Sequence, residues 1–307
     1  MKHLLIMSAA ALVLAACSQG DKAAEPATKV VKEVVTETVE MAGPSESSTA
    51  LAAILDAQDD KAKARYDARH PQETLEFFGI EPGMTVAEAL PGGGWYSKIL
   101  IPYLGNDGTL IGVDYAIEMW PEFGGFATEE FIEKKKTWPE TWVAGAEEWR
   151  AGSEGDIKAF AFGNRDAALD GTVDAVLFIR AMHNLSRFEE KGGYMTKALA
   201  DAYALLKPGG IVGIVQHQGP EGNSDEWASG SNGYLKKSAV IAKMKAAGFE
   251  LVAESGINEN AKDVPSEEDM VWRLPPTLGT SKEDPELKAT LEAVGESNRM
   301  TLLFKKV

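Results

Sequence analysis

Read for the spacing of apolar and polar positions, the chain alternates between two periods. Near its start, Leu51, Ile54 and Leu55 recur at helical spacing behind Ser47 or Ser48, either of which can cap a helix. Pro71 permits a second helix carrying Leu75, Phe77 and Phe78, which Gly79 and Pro82-Gly83 close. Short apolar runs bounded by turn residues then predict strands at Met84–Leu90, Thr109–Asp114, Ile157–Phe162, Val173–Ile179, Ile211–Gln216, Phe249–Ser255 and Met300–Lys305. Helical stretches are predicted at Tyr96–Leu104, Tyr194–Leu206 and Leu235–Ala247. Strands that alternate with helices need crossover connections, so the sheet is expected to be mostly parallel.

Two stretches break this rhythm. Residues 18–50 are rich in Ala, Glu, Thr, Ser and Lys and hold almost no large side chains. Such a segment buries too little apolar area to offset its ordering entropy and reads as a flexible tether. Val30, Val31, Val34, Val35 and Val39 leave an amphipathic helix there as the alternative. Residues 115–156 carry four of the seven tryptophans, Trp120, Trp138, Trp142 and Trp149. An insertion at a strand end either covers a ligand site or forms a small satellite core, and both readings stay open.

Charge and cysteine usage narrow the function classes. The net charge of −16 repels nucleic-acid phosphate, and no basic run exceeds Lys134-Lys135-Lys136, so a nucleic-acid partner is not expected. Cys17 is the only cysteine, which excludes an intrachain disulfide and a cysteine-ligated zinc site. Residues 1–17 open with Lys2 and run apolar from Leu4 to Ala16, too short to span a bilayer comfortably. Their end, Leu14-Ala15-Ala16-Cys17, resembles the lipobox of bacterial lipoproteins. That resemblance implies a signal peptide, lipidation of Cys17 and, with Ser18 next, the periplasmic face of the outer membrane. The membrane is then met through the lipid anchor only.

The chemistry is concentrated in Val86-Ala-Glu-Ala-Leu-Pro-Gly-Gly-Gly-Trp-Tyr-Ser97. A strand runs directly into three glycines, which let main chain turn tightly and approach a ligand. Asp114 closes the next strand, where a carboxylate can accept from both ribose hydroxyls. Together these point to an adenosine-bearing ligand without separating a nicotinamide dinucleotide from S-adenosylmethionine (SAM); Gly92-x-Gly94-x-x-Ser97 approximates the dinucleotide fingerprint as well.

Further motifs carry a family resemblance. Glu88-x-Leu90-x-Gly92-x-Gly94, preceded by Ile80-Glu-Pro-Gly-Met-Thr-Val86, resembles the first motif of class I SAM-dependent methyltransferases, with Leu90 where that family has its first glycine. Leu205-Leu-Lys-Pro-Gly-Gly210 resembles the family's turn into its fifth strand and disfavours an oxidoreductase. Arg69-His70-Pro71, Pro91-Gly-Gly-Gly-Trp-Tyr96, Arg180-x-x-His183-Asn184 and His217 are similar to a group of bacterial predicted methyltransferases. The resemblance covers roughly residues 70–307. It implies a Rossmann-like three-layer α/β sandwich with a seven-stranded, mostly parallel sheet and an antiparallel C-terminal strand, in a domain over residues 51–307.

It also implies SAM as cofactor and a small molecule or cell-envelope component as methyl acceptor. Gly92 and Gly94 would admit the cofactor, Glu88 would face its methionine end, Asp114 its ribose, and Asn184 would join the cofactor site. Asp166 would face the adenine or cap a turn. His183 is the first candidate for general base, since an unperturbed imidazole titrates near neutrality; His217 is the second. Arg180 would bind an acidic substrate group or pair with Glu88. The competing class is a non-enzymatic lipoprotein that keeps the fold and binds another ligand or a protein.

Overall fold

The computed structural model describes residues 45–307. Cys17, the signal segment and the tether up to residue 44 lie outside the described residues. The first helix spans Glu46–Asp56, capped by Ser45, whose side chain accepts from the Ser48 amide, rather than by Ser47 or Ser48. It buries Leu51 and Leu55, so residues 46–50, assigned to the tether on composition, are the small-residue first turn of an anchored helix.

Eight strands form the sheet: β1 (Thr85–Ala89), β2 (Thr109–Asp114), β3 (Asp156–Ala161), β4 (Val173–Ile179), β5 (Leu206–Gly219), β6 (Leu235–Lys236), β7 (Phe249–Ser255) and β8 (Arg299–Lys306). Seven lie in the order β3-β2-β1-β4-β5-β8-β7, and the two-residue β6 pairs with the far end of β5. All pairings between two of these strands are parallel except those of β8, which runs antiparallel to both β5 and β7. This is the expected Rossmann-like architecture, with one short strand beyond the seven. Lys207-Pro208-Gly209-Gly210 is drawn into β5 as an irregularity: Val173 pairs with Leu206, but Ala175 pairs with Ile211.

Each sheet face has its own apolar layer, because strand side chains alternate. Val176 and Phe178 join Met182, Leu199 and Phe304 on one face. Leu177 and Ile179 join Leu51, Leu75, Leu100 and Leu104 on the other. From β1 the chain builds outward through β2 and β3, then returns to place β4 on the opposite side of β1. The carboxyl ends of β1 and β4 therefore mark the point where strand order reverses, and open α/β sheets form a crevice there.

The region 256–298, for which no elements were predicted, holds helix Pro285–Val294, capped by Asp284 with Pro285 at its first position. A third small core of Trp227, Tyr234 and Val271 ties this region to the segment after β5. Beneath it the Tyr234 hydroxyl lies 3.0 Å from Asp263 Oδ2, and Arg273 donates to Asp263 Oδ1 at 3.0 Å.

Candidate active site

The residues that leave β1 and β4 meet at the reversal point, since Ala89 pairs with Phe178. Both exits are bent. Leu90 has φ of +56° and Arg180 has φ of +57°, a left-handed conformation that side chains bearing a Cβ adopt only at a cost. Leu90 thus takes the backbone shape a glycine would take without strain. Its amide donates to Val113 O at 2.7 Å, and the Arg180 amide donates to Val215 O at 2.6 Å, so neighbouring strands fix both bends.

The three glycines that follow divide into two kinds. Gly92 and Gly93 are exposed; a Cβ on Gly92 would meet nothing nearer than 3.9 Å, and one on Gly93 nothing within 4 Å. Their main chain is open to a ligand. Gly94 is buried, and a Cβ there would fall within 2.6 Å of two ring atoms of Trp149. It admits an indole of the 115–156 insertion rather than a free approach.

Glu88 is 4% exposed and accepts a 2.6 Å hydrogen bond from Ser97 Oγ. Burial pushes its carboxyl up to about 7, against opposing pulls from Ser97 and the more distant Arg180. No ion pair joins Glu88 to Arg180 among the described residues, which removes that alternative for Arg180. The raised value means the fold favours the protonated acid, so Glu88 costs stability as pH climbs from about 4.5 to about 7. Glu88→Gln is expected to gain on the unmodified protein by roughly 3 kcal/mol over that interval, read from urea unfolding at pH 5 and pH 8. A gap that stays constant with pH would contradict the assignment.

Asp114, 7% exposed at the end of β2, has both oxygens engaged: the Tyr115 amide donates to Oδ1 at 2.9 Å and Lys135 Nζ to Oδ2 at 2.8 Å. Burial is the first influence on its carboxyl and raises it, with Lys135 pulling the other way. Lys135 comes from helix Glu129–Lys136 of the insertion and lies 4.2 Å from the Trp120 ring centroid. The insertion thus packs on both faces of the sheet and also reaches Asp114 and Gly94. Trp120 and Trp142 are core residues, with Trp142 packed where Gly112 lacks a Cβ, while Lys135 and Trp149 reach the crevice elements.

The remaining sequence candidates separate. Asp166 is exposed and caps the short helical turn Ala167–Leu169, accepting from the Ala168 amide at 2.9 Å. It does not line the 320 Å³ cavity beyond β2 and β3, which Gly163 and Asn164 line together with Met119 and Phe162. Asn184 donates to the Tyr115 hydroxyl at 2.8 Å and so steadies the residue after Asp114.

His183 is buried, and burial lowers it to about 4. Its Nδ1 lies 3.5 Å from Gln216 Oε1, and its ring centroid is 5.5 Å from that of His217. An imidazole lowered this far is neutral at pH 7 and a weak proton acceptor, contrary to the near-neutral value assumed from sequence. His217, lowered first by burial and then by His183 and Arg180, lines the main cavity, with Nδ1 2.6 Å from Ser297 Oγ.

That cavity, about 510 Å³, lies over Leu90–Gly93 and beside Ile179, Arg180 and His217. Arg65, Arg69 and Lys98 are also part of its wall. Sequence reasoning named none of these three as site residues. His70, at φ of +41°, joins helices Tyr66–Arg69 and Pro71–Phe77, and this bend sets Arg69 against the Trp95 ring at 4.6 Å. The Arg69-His70-Pro71 stretch was the available signal.

No family model matches the chain, and no curated protein matches it. Solved structures are similar to it at low identity. A SAM-dependent methyltransferase from Aquifex aeolicus is 16% identical over 84% of this chain and 98% of that one, with a TM-score of 0.46. The 1,6-didemethyltoxoflavin-N1-methyltransferase of Burkholderia thailandensis, solved with 1,6-didemethyltoxoflavin and S-adenosylhomocysteine, is 14% identical over 85% of this chain and 87% of that one, at 0.44. CrArsM, an arsenic(III) SAM methyltransferase from Chlamydomonas reinhardtii, is 14% identical over 83% and 72%, at 0.41.

Proposed function

We propose that the chain is a SAM-dependent methyltransferase acting on a small molecule or a cell-envelope component. The observation that carries this reading is the open main chain of Gly92 and Gly93 just past β1 at the sheet's reversal point, with Asp114 closing β2, the strand paired to β1 on its other side. Gly92 and Gly93 would face the cofactor, Asp114 its ribose hydroxyls, and Glu88, held by Ser97, its methionine end. The cavity beyond β2 and β3, where Met119, Phe162 and Leu185 stand beside Asn164, Glu118 and Lys197, is the place an adenine would take. SAM supplies a methyl group already activated on a sulfonium. The chain's part is to orient the acceptor and take its proton; of the two histidines only His217 lines the cavity, and burial holds it well below the ordinary imidazole value as it does His183.

A second reading, a ligand-binding protein without catalysis, draws on specific contacts. Lys135 already holds Asp114, Trp149 covers Gly94, and Leu90 replaces a glycine. Calorimetry of the full chain with SAM, and separately with NAD, decides between the two. SAM binding at micromolar concentration is expected; heat from neither ligand selects the second reading, and heat from NAD alone selects an oxidoreductase.

A further inference from the structure

The cavity at the reversal point carries a charge pattern opposite to that of the chain. Against a net charge of −16, Lys61, Arg65, Arg69, Lys98 and Arg180 all line it, with Asp59 the only carboxylate among the lining residues. Asp59 is committed to capping a helix through the Ala62 amide at 2.7 Å. Just behind the wall, Glu296 serves three guanidiniums at once: Arg65, Arg69 at 3.4 Å and Arg299 at 3.3 Å. One carboxylate among three arginines leaves a local excess of positive charge.

Arg180 makes no ion pair with that carboxylate and feels it only at longer range. Among the described residues its side chain forms no ion pair and no hydrogen bond, and its Nε is fully buried without a partner. A guanidinium left this way keeps the desolvation cost of a buried donor with nothing to offset it. Its backbone is also held in the strained left-handed region by the bond to Val215. A fixed, unpaired guanidinium beside further cations and the open Gly92–Gly93 main chain has the geometry of oxyanion recognition.

We propose that this cavity binds an oxyanion, a carboxylate or phosphate group, and that this group belongs to the methyl acceptor. The anion site stands on the residues above; its assignment to an acceptor rests on the methyltransferase reading. An acidic acceptor anchored by Arg180 would lie toward Arg65 and Arg69, with His217 on the same wall and Gly92 and Gly93 left to the cofactor.

Titration calorimetry of the full chain with inorganic pyrophosphate and with citrate, and with choline as a cationic control, tests the site. Both anions are expected to bind and choline is not. Arg180→Gln is expected to weaken anion binding at least tenfold, and Arg65→Gln and Lys98→Gln several-fold each, while Lys134→Gln on the exposed insertion helix leaves it unchanged. If Arg180→Gln fails to fold by circular dichroism, the two half-buried wall positions carry the test. No heat from either anion, or equal losses from Lys134→Gln and the wall variants, would overturn the site. A repeat at saturating SAM separates the two layers of the proposal. Anion binding that persists with SAM bound supports the acceptor assignment, whereas anions that displace SAM competitively overturn it in favour of the cofactor's own carboxylate. Anion binding by a chain that ignores SAM keeps the site and removes the methyltransferase reading.

Discussion

Lys135→Met is expected to tighten SAM binding about tenfold, and Asp114→Ala to weaken it about a hundredfold. Both effects arise at one contact. Asp114 is nearly buried and its two oxygens are taken by the Tyr115 amide and by Lys135. A ribose that presents two hydroxyls must displace the ammonium, and hydrogen bonds to a charged acceptor are worth about 1.5–3 kcal/mol each. Removing the carboxylate loses that acceptor, and a loss of about 2.7 kcal/mol is a hundredfold in Kd. Removing the ammonium frees the acceptor while methionine keeps the stem packed against Trp120. Calorimetry on the two variants and their double variant checks the pair. Lys135→Met that binds SAM no better than the unmodified chain would show that the two groups do not compete.

The largest loss of stability is expected from Gly230→Ala. Gly230 has φ of +104°, and a Cβ there would lie 2.0 Å from the carbonyl oxygen of His183 and 2.9 Å from its carbon. Backbone cannot swing aside as a side-chain tip can, so the segment after β5 would have to lift off the helix that carries His183. Strain and overpacking act together at this position, and roughly 3 kcal/mol or more is expected, read as a fall in urea midpoint. Gly93→Ala, in open space at a negative φ, is the matched control. Comparable midpoints for the two variants would refute the contact.

The sheet was legible because its strands announce themselves individually. β4 is a short apolar run closed by Arg180, and β2 ends on Asp114 after an Asn-Asp-Gly turn; such signals are local. Helix Pro285–Val294 carried an equally local signal in Asp284-Pro285, but its single buried position, Leu291, gives almost no periodicity. Glu88 to Gly94 and Asp114 were named from strand–turn–helix order, and Arg180 and His217 from their places past strand ends, whereas Arg65, Arg69 and Lys98 join them only through folding of distant segments. Asp166 stayed open between a base contact and a turn cap because an aspartate just past a strand fits both, and its bond to the Ala168 amide is that of a cap. The histidines misled because an ordinary titration value was assumed for groups that burial changes.

Lys135 and Asp114 are 21 residues apart on one chain. The ammonium is therefore a competitor that no dilution can remove, and its effective concentration is set by folding rather than by the amount of protein present. Any visitor to that carboxylate must outbid a resident tied to the same molecule. Its measured affinity will always be the difference between two occupants.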